Sequence, residues 1–152
     1  MEHGDRSFLE ELRRRRGEMR ESIGELELAL SAPAAADRAQ WAKSVHAALT
    51  DLSRDLEQHV EITEGPEGLY GEVMSAAPRL GDAVSRLTED HGLIRERLDD
   101  LLARVDTAAN LEDVTVVRDL GTDLLARLLR HRQHGADLVF EAYEFDVGGG
   151  ET

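Results

Sequence analysis

The stretch LARLLRHRQHGADLVFEAYEFD, residues 125–146, decides how this chain folds. Its leucines, taken with Leu124 just before it, recur at helical spacing: Leu124, Leu128 and Leu138 lie on one face, the pattern of a helix that fills a core. His131 stands where the next leucine of that stripe is due. A lone histidine on an apolar face is usually a packed residue with a satisfied hydrogen bond. The question is whether other helices carry the same substitution at the same height.

Three other stripes run through the chain. Leu9, Leu12, Met19, Ile23, Leu26 and Leu30 step by three or four residues, and Pro33 then breaks the helix while Asp37 is placed to cap the next one. Val45, Leu49, Leu52, Leu56 and His59 form the second stripe, which ends at EGPEG, residues 64–68. A short apolar piece, LYGEVMSAAP, follows. Val84, Leu87, His91, Ile94, Leu98, Leu101 and Val105 form the third, and DTAANLED makes the last turn. The β-branched run DVTVVRDL is short and leads straight into the leucine stripe of the fourth helix, so no strand is expected. The expected fold is all-α, an antiparallel up-down four-helix bundle with helices over about 6–31, 37–64, 79–107 and 112–143. Residues 1–146 read as one domain, and the Gly-rich 147–152 as a flexible tail.

Composition narrows the function classes. A formal net charge of −14 argues against nucleic-acid and anionic-membrane partners, both of which need a basic footprint. The run Arg13–Arg16 is the one basic cluster, and Glu10, Glu11 and Glu18 are spaced to pair with it along the helix. The chain has no cysteine, which excludes disulfides, thiolate metal sites and cysteine nucleophiles. No phosphate-cradling loop, nucleophile elbow or paired metalloprotease histidines are present, so nothing marks an enzyme. The charged N-terminal stretch is unlike a signal peptide and no run is long enough to cross a membrane, so a cytoplasmic protein is expected.

The histidines of the stripes meet by simple counting. Residue 75, midway between His59 and His91, falls in the second connection; residue 111, midway between His91 and His131, falls in the third. Residues equidistant from a turn face each other in antiparallel helices, so the three imidazoles should share one layer. Three uncompensated imidazoles would crowd polar nitrogens into a desolvated core, and a divalent metal is the economical partner. His46 lies about 20 Å lower on its helix, too far to share the site, and is expected at a helix interface or exposed.

The pieces LSRDLEQHVEITEGPEGLY, TEDHGLIRERLDDLL and LLARLLRHRQHGADLVFEAY resemble helices two to four of the hemerythrin-like, HHE cation-binding family. The resemblance implies a bundle holding a non-haem, usually di-iron, centre that binds dioxygen, nitric oxide or peroxide, or serves iron handling and redox sensing. One or two iron ions, or another divalent metal, are therefore expected at His59, His91, His131 and Glu64, with His134, Asp137 and Glu141 as weaker candidates. The family pattern is incompletely met. Thr63 and Gly135 stand where carboxylates are expected, Arg95 where a second third-helix histidine is expected, and the first helix offers Leu9, Leu12 and Arg16, or the terminal His3. Arg16 falls on the apolar stripe, where it either tucks along the surface or enters the bundle to pair with Glu64 or Asp137. The break at Gly65, Pro66 and Gly68 is either a plain kink before the turn or a device that re-aims Glu64 and places Tyr70 over the site, with Tyr143 as a counterpart. The alternative is a degenerate, metal-free bundle that acts as a protein-interaction module.

Overall fold

The computed structural model describes the backbone of residues 2–145 and the side chains of residues 10–143. Helix α1 spans Glu2–Ser31, α2 Arg38–Glu64, α3 Leu69–Ala76, α4 Gly81–Asp106 and α5 Leu111–Val139. A single 3-10 turn, Pro78–Leu80, leads into α4, and α5 runs on into a π-helical turn, Phe140–Phe145. No strand occurs among the described residues. The four long helices form a ring in which α1 packs on α2, α2 on α4, α4 on α5 and α5 back on α1, the arrangement of an up-down bundle.

Local chemistry sets the helix ends. Asp37 accepts the Gln40 N–H at 3.0 Å to start α2, and Asn110 accepts the Asp113 N–H at 2.9 Å to start α5. Asp113 reaches back to the Ala109 N–H at 2.7 Å, so this turn is tied from both sides. Helix α1 has no basic residue in its last turn. Arg118 of α5 supplies one, donating to the carbonyls of Leu30 at 2.8 Å and Ala32 at 2.7 Å while lying over the Trp41 ring.

The short apolar piece that follows the break after α2 is itself helical. Leu69, Tyr70 and Val73 give residues 69–76 a buried face, and they form the eight-residue α3. Gly65 and Gly68 let the chain fold back tightly on the end of α2. A Cβ at Gly65 would collide with the Glu61 carbonyl oxygen, and one at Gly68 would lie 2.7 Å from that of Thr63. The π-helical turn at the end of α5 was not anticipated. Met1 and residues 146–152, which include the expected tail, lie outside the described residues, as do the side chains of His3 and Leu9.

The buried side chains form two apolar clusters. The larger runs from Met19, Leu56, Ile94 and Leu128 to the Trp41 end of the bundle. The smaller, at the other end, gathers Leu12, Leu69, Tyr70, Val73, Leu87 and Leu138 with their neighbours. Between them lies one polar layer. Arg16 sits between Leu12 and Met19 on α1, His59 follows Leu56 on α2, His91 lies between Leu87 and Ile94 on α4, and His131 between Leu128 and Leu138 on α5.

Candidate metal centre

Each of the four long helices contributes one residue to this layer because each stripe carries a polar residue at the same height. His91 and His131 are each only 3% exposed, buried as deeply as the leucines around them. The imidazole Nε2 atoms converge: His91 to His131 at 3.1 Å and His131 to His59 at 3.3 Å. One ligand nitrogen from each ring lies within 4.8 Å of the others. Two imidazole nitrogens bound to a common divalent ion at about 2.0–2.1 Å, with angles between right and tetrahedral, lie about 2.9–3.4 Å apart. The His91–His131 and His131–His59 separations fall in that interval, so each of these pairs is spaced for a common ion, and the third pair, within 4.8 Å, need close only slightly to join them.

Carboxylates stand behind two of the rings. Glu64 Oε2 lies 2.5 Å from His91 Nδ1, and Asp90 Oδ2 lies 3.3 Å from His131 Nδ1. A carboxylate accepting from Nδ1–H selects the tautomer whose Nε2 carries a lone pair. Both lone pairs then face the centre of the layer. Burial, reinforced by the neighbouring imidazoles, pushes His59 and His91 down to about 3. Burial also lowers His131, against the raising effect of Asp90. All three rings are therefore neutral at physiological pH, the form that ligates metal.

Tyr70 closes the end of the layer. Its ring stacks on His91 with centroids 5.8 Å apart, and its hydroxyl lies 3.5 Å from His91 Nε2. Burial holds the Tyr70 hydroxyl well above its usual range, so it remains a donor. Thr63 is buried beside it, its own hydroxyl donating to the His59 carbonyl at 2.7 Å.

The structure brings together His59, His91 and His131. Glu64 joins them from behind His91, outside the converging nitrogens. His134, Asp137 and Glu141 lie elsewhere, lining an outer groove between α4 and α5 with Arg86 and Asp90. Tyr143 packs against the smaller apolar cluster. His46 meets Asp106 at 2.9 Å near the opposite end of the bundle, and Arg95 meets Glu57 on the surface at 3.5 Å. The pairing of Arg16 with Glu64 or Asp137 is not formed. Glu64 is turned to His91, Asp137 accepts from Gln133 at 2.9 Å, and no carboxylate among the described residues pairs with Arg16. Sequence reasoning missed Asp90. It lies one residue before His91, off the stripe, and the only trace it leaves is the acidic pair in TEDHG.

Among the described residues no helix is long and apolar enough to cross a membrane. The family model for the hemerythrin HHE cation-binding domain matches residues 7–143. Comparison with curated proteins and with solved structures finds no match to this chain.

Proposed function

The chain belongs to the hemerythrin HHE cation-binding domain family, and we propose that in this member His59, His91 and His131 hold an iron or other divalent transition-metal ion. The observation that carries the reading is the orientation of the donors. Three neutral imidazoles converge through Nε2, and Glu64 and Asp90 fix the rings of His91 and His131 from behind. Glu64, the last residue of α2, is a carboxylate beside the set that could turn inward to complete it. The loaded site would bind a small molecule such as dioxygen, nitric oxide or peroxide, or report on metal or redox state. A bound transition metal supplies an open coordination position and, if iron, a redox couple. The protein's own part is to hold three nitrogens in place, keep them deprotonated and exclude bulk water with Tyr70 and the apolar cluster beyond it. A reducing cytosol, compatible with a chain that lacks cysteine, belongs to the same proposal.

A second reading draws on one further observation. Without metal the layer can close on itself, His59 donating its Nε2 proton to His131 and Tyr70 donating to His91. That is the arrangement a metal-free interaction module would use. Metal content by mass spectrometry on anaerobically purified protein, beside a His91→Ala variant, separates the two. About one or two ions per chain, lost in the variant, support the metal reading. Protein that stays metal-free after iron-replete growth, with the variant unchanged, establishes the closed layer instead.

A further inference from the structure

The outward face of α5 differs from the rest of the surface. Thr122, Ala126, Leu129, Gln133, Ala136 and Phe140 recur every three or four residues on the side of the helix opposite Leu124, Leu128 and Leu138, and all six are exposed. None is charged, in a chain of which 33% is Asp, Glu, Lys or Arg. The exposed faces of the other long helices carry charge: Arg20 and Glu21 on α1, Arg54 and Glu61 on α2, Glu96 and Asp100 on α4. Leu129 and Phe140 are about half exposed, at 52% and 51%. Alternating steps of four and three make a repeat of 3.5 residues, the seam along which one helix packs on another. Such a seam is already used once, on the inner side of α5; the outer one has no helix of this chain upon it.

The edges of the stripe say what covers it. Asp123, Arg130 and Asp137 repeat at seven residues along one edge, all exposed. Asp123 and Arg130 have no ion-pair partner among the described residues, and Asp137 accepts only from the uncharged Gln133. The two-fold axis of an antiparallel pair sets each edge against the same edge of the other copy. Arg130 of each copy then faces Asp137 of the other, so the edge is complementary to itself. In that register Gln133 sits on the axis, Phe140 meets Ala126 and Leu129 meets Ala136, large against small. A parallel pair would set the charged edge against Leu125, Arg132 and Val139, which offer it no carboxylate. We propose that α5 is the contact of a homodimer, two copies of this chain packed antiparallel about Gln133. The proposal stands apart from the metal reading, because the histidine layer lies on the other side of the helix. The paired segments, residues 123–143, run about 30 Å. Counting both copies they bury about 1,000 Å², the lower bound for a specific interface, so the dimer forms and parts with concentration.

Sedimentation equilibrium over a wide concentration series is the test. Wild type should pass from monomer to dimer as concentration rises, with or without added metal. Leu129→Glu, at an exposed position, should stay monomeric with unchanged helix content. Arg130→Asp and Asp137→Arg should each weaken the dimer about ten-fold or more by opposing like charges, and the double variant should recover it. Orientation is read by cross-linking. The chain has no cysteine, so a single introduced thiol reports on its own position. Gln133→Cys should give a disulfide-linked dimer under mild oxidation. Ala126→Cys should not, since antiparallel packing holds its two copies about 20 Å apart along the helices. Cross-linking at both positions indicates parallel packing and overturns the proposal. So does a Leu129→Glu protein that dimerises like wild type, a double variant that fails to recover, or a wild type that stays monomeric at every concentration.

Discussion

Replacing Gly68 with alanine tests whether the corner after α2 is a built feature of the site or a simple kink. The added Cβ would stand 2.7 Å from the Thr63 carbonyl oxygen, 2.8 Å from that of Ile62 and 2.9 Å from the Thr63 carbonyl carbon. All three contacts are with backbone, which cannot rotate away as a side chain end can. The corner must open by several tenths of an ångström, and overpacking of this kind costs about 1–3 kcal/mol. Gly71, three residues on in α3, is the internal control. Nothing lies within 4 Å of a Cβ there. Alanine at that position should be worth about 0.5–1 kcal/mol in the opposite direction, through helix propensity and a less disordered unfolded chain. Thermal unfolding of the metal-free protein reads both, at about 2–4 °C per kcal/mol for a chain of this size. The expectation is a lower Tm for Gly68→Ala, a higher one for Gly71→Ala, and weaker metal binding only in the former, because the strained carbonyls adjoin Glu64. A Gly68→Ala protein as stable as wild type would refute the reasoning, since it would mean the corner has room the structure denies.

Other outcomes follow from the same geometry. Leu124→Ala removes a side chain only 1% exposed from the larger cluster and should cost about 2–5 kcal/mol in urea unfolding, with no change in metal stoichiometry. Asp90→Asn keeps the shape but weakens the acceptor behind His131, and should lower metal affinity about 10–100-fold in a chelator competition while leaving the fold intact. The metal-free protein should lose stability as pH falls from about 6.5 toward 3. His59 and His91 are held near 3 in the fold, against about 6.5 when unfolded, so the unfolded chain binds more protons across that window. Each such histidine contributes up to about 1.4 kcal/mol per pH unit. The sign is diagnostic, because acidification also relieves self-repulsion in a chain of formal charge −14. Stability that rises between pH 6.5 and 5 would show that the imidazoles are not desolvated.

The layer of histidines was legible before any coordinates because helical periodicity and distance from a turn are linear properties of the chain. His59, His91 and His131 could each be assigned a face and a height by counting, and the converging Nε2 atoms lie where the counting put them. Asp90 was not legible. Its side chain leaves α4 off the apolar stripe and acts across to α5, a relation between neighbouring helices that no one-helix pattern records. Arg16 was visible as a charge on the wrong face, but which of its two alternatives holds, surface packing or a pair with Glu64 or Asp137, was not. Which carboxylate it meets depends on rotamers, and both candidates turned to closer donors, His91 and Gln133. Helix α3 was obscured by its surroundings. Gly65, Pro66 and Gly68 read as a break, and they are one, but eight residues with a buried face suffice to start again once α4 and α5 supply a surface to pack on.

The polar layer also sets how the molecule comes apart locally. The apolar cluster beyond it draws on Leu12 of α1, α3, the first turns of α4, the last turn of α5 and its π-helical extension, with Arg16 and the three imidazoles between it and the larger cluster. A seam of that kind limits cooperativity, so amides at 69–87 and 136–142 should exchange with solvent as one unit, through openings cheaper than global unfolding. Amides at 94–105 and 114–128 should exchange only when the whole bundle unfolds. Each opening of the smaller unit bares the Nε2 atoms while the larger cluster still holds their rings in register. Traffic of ions to and from the imidazoles would then be timed by this hinged cap, and a substitution that steadies the cap would slow both loading and release.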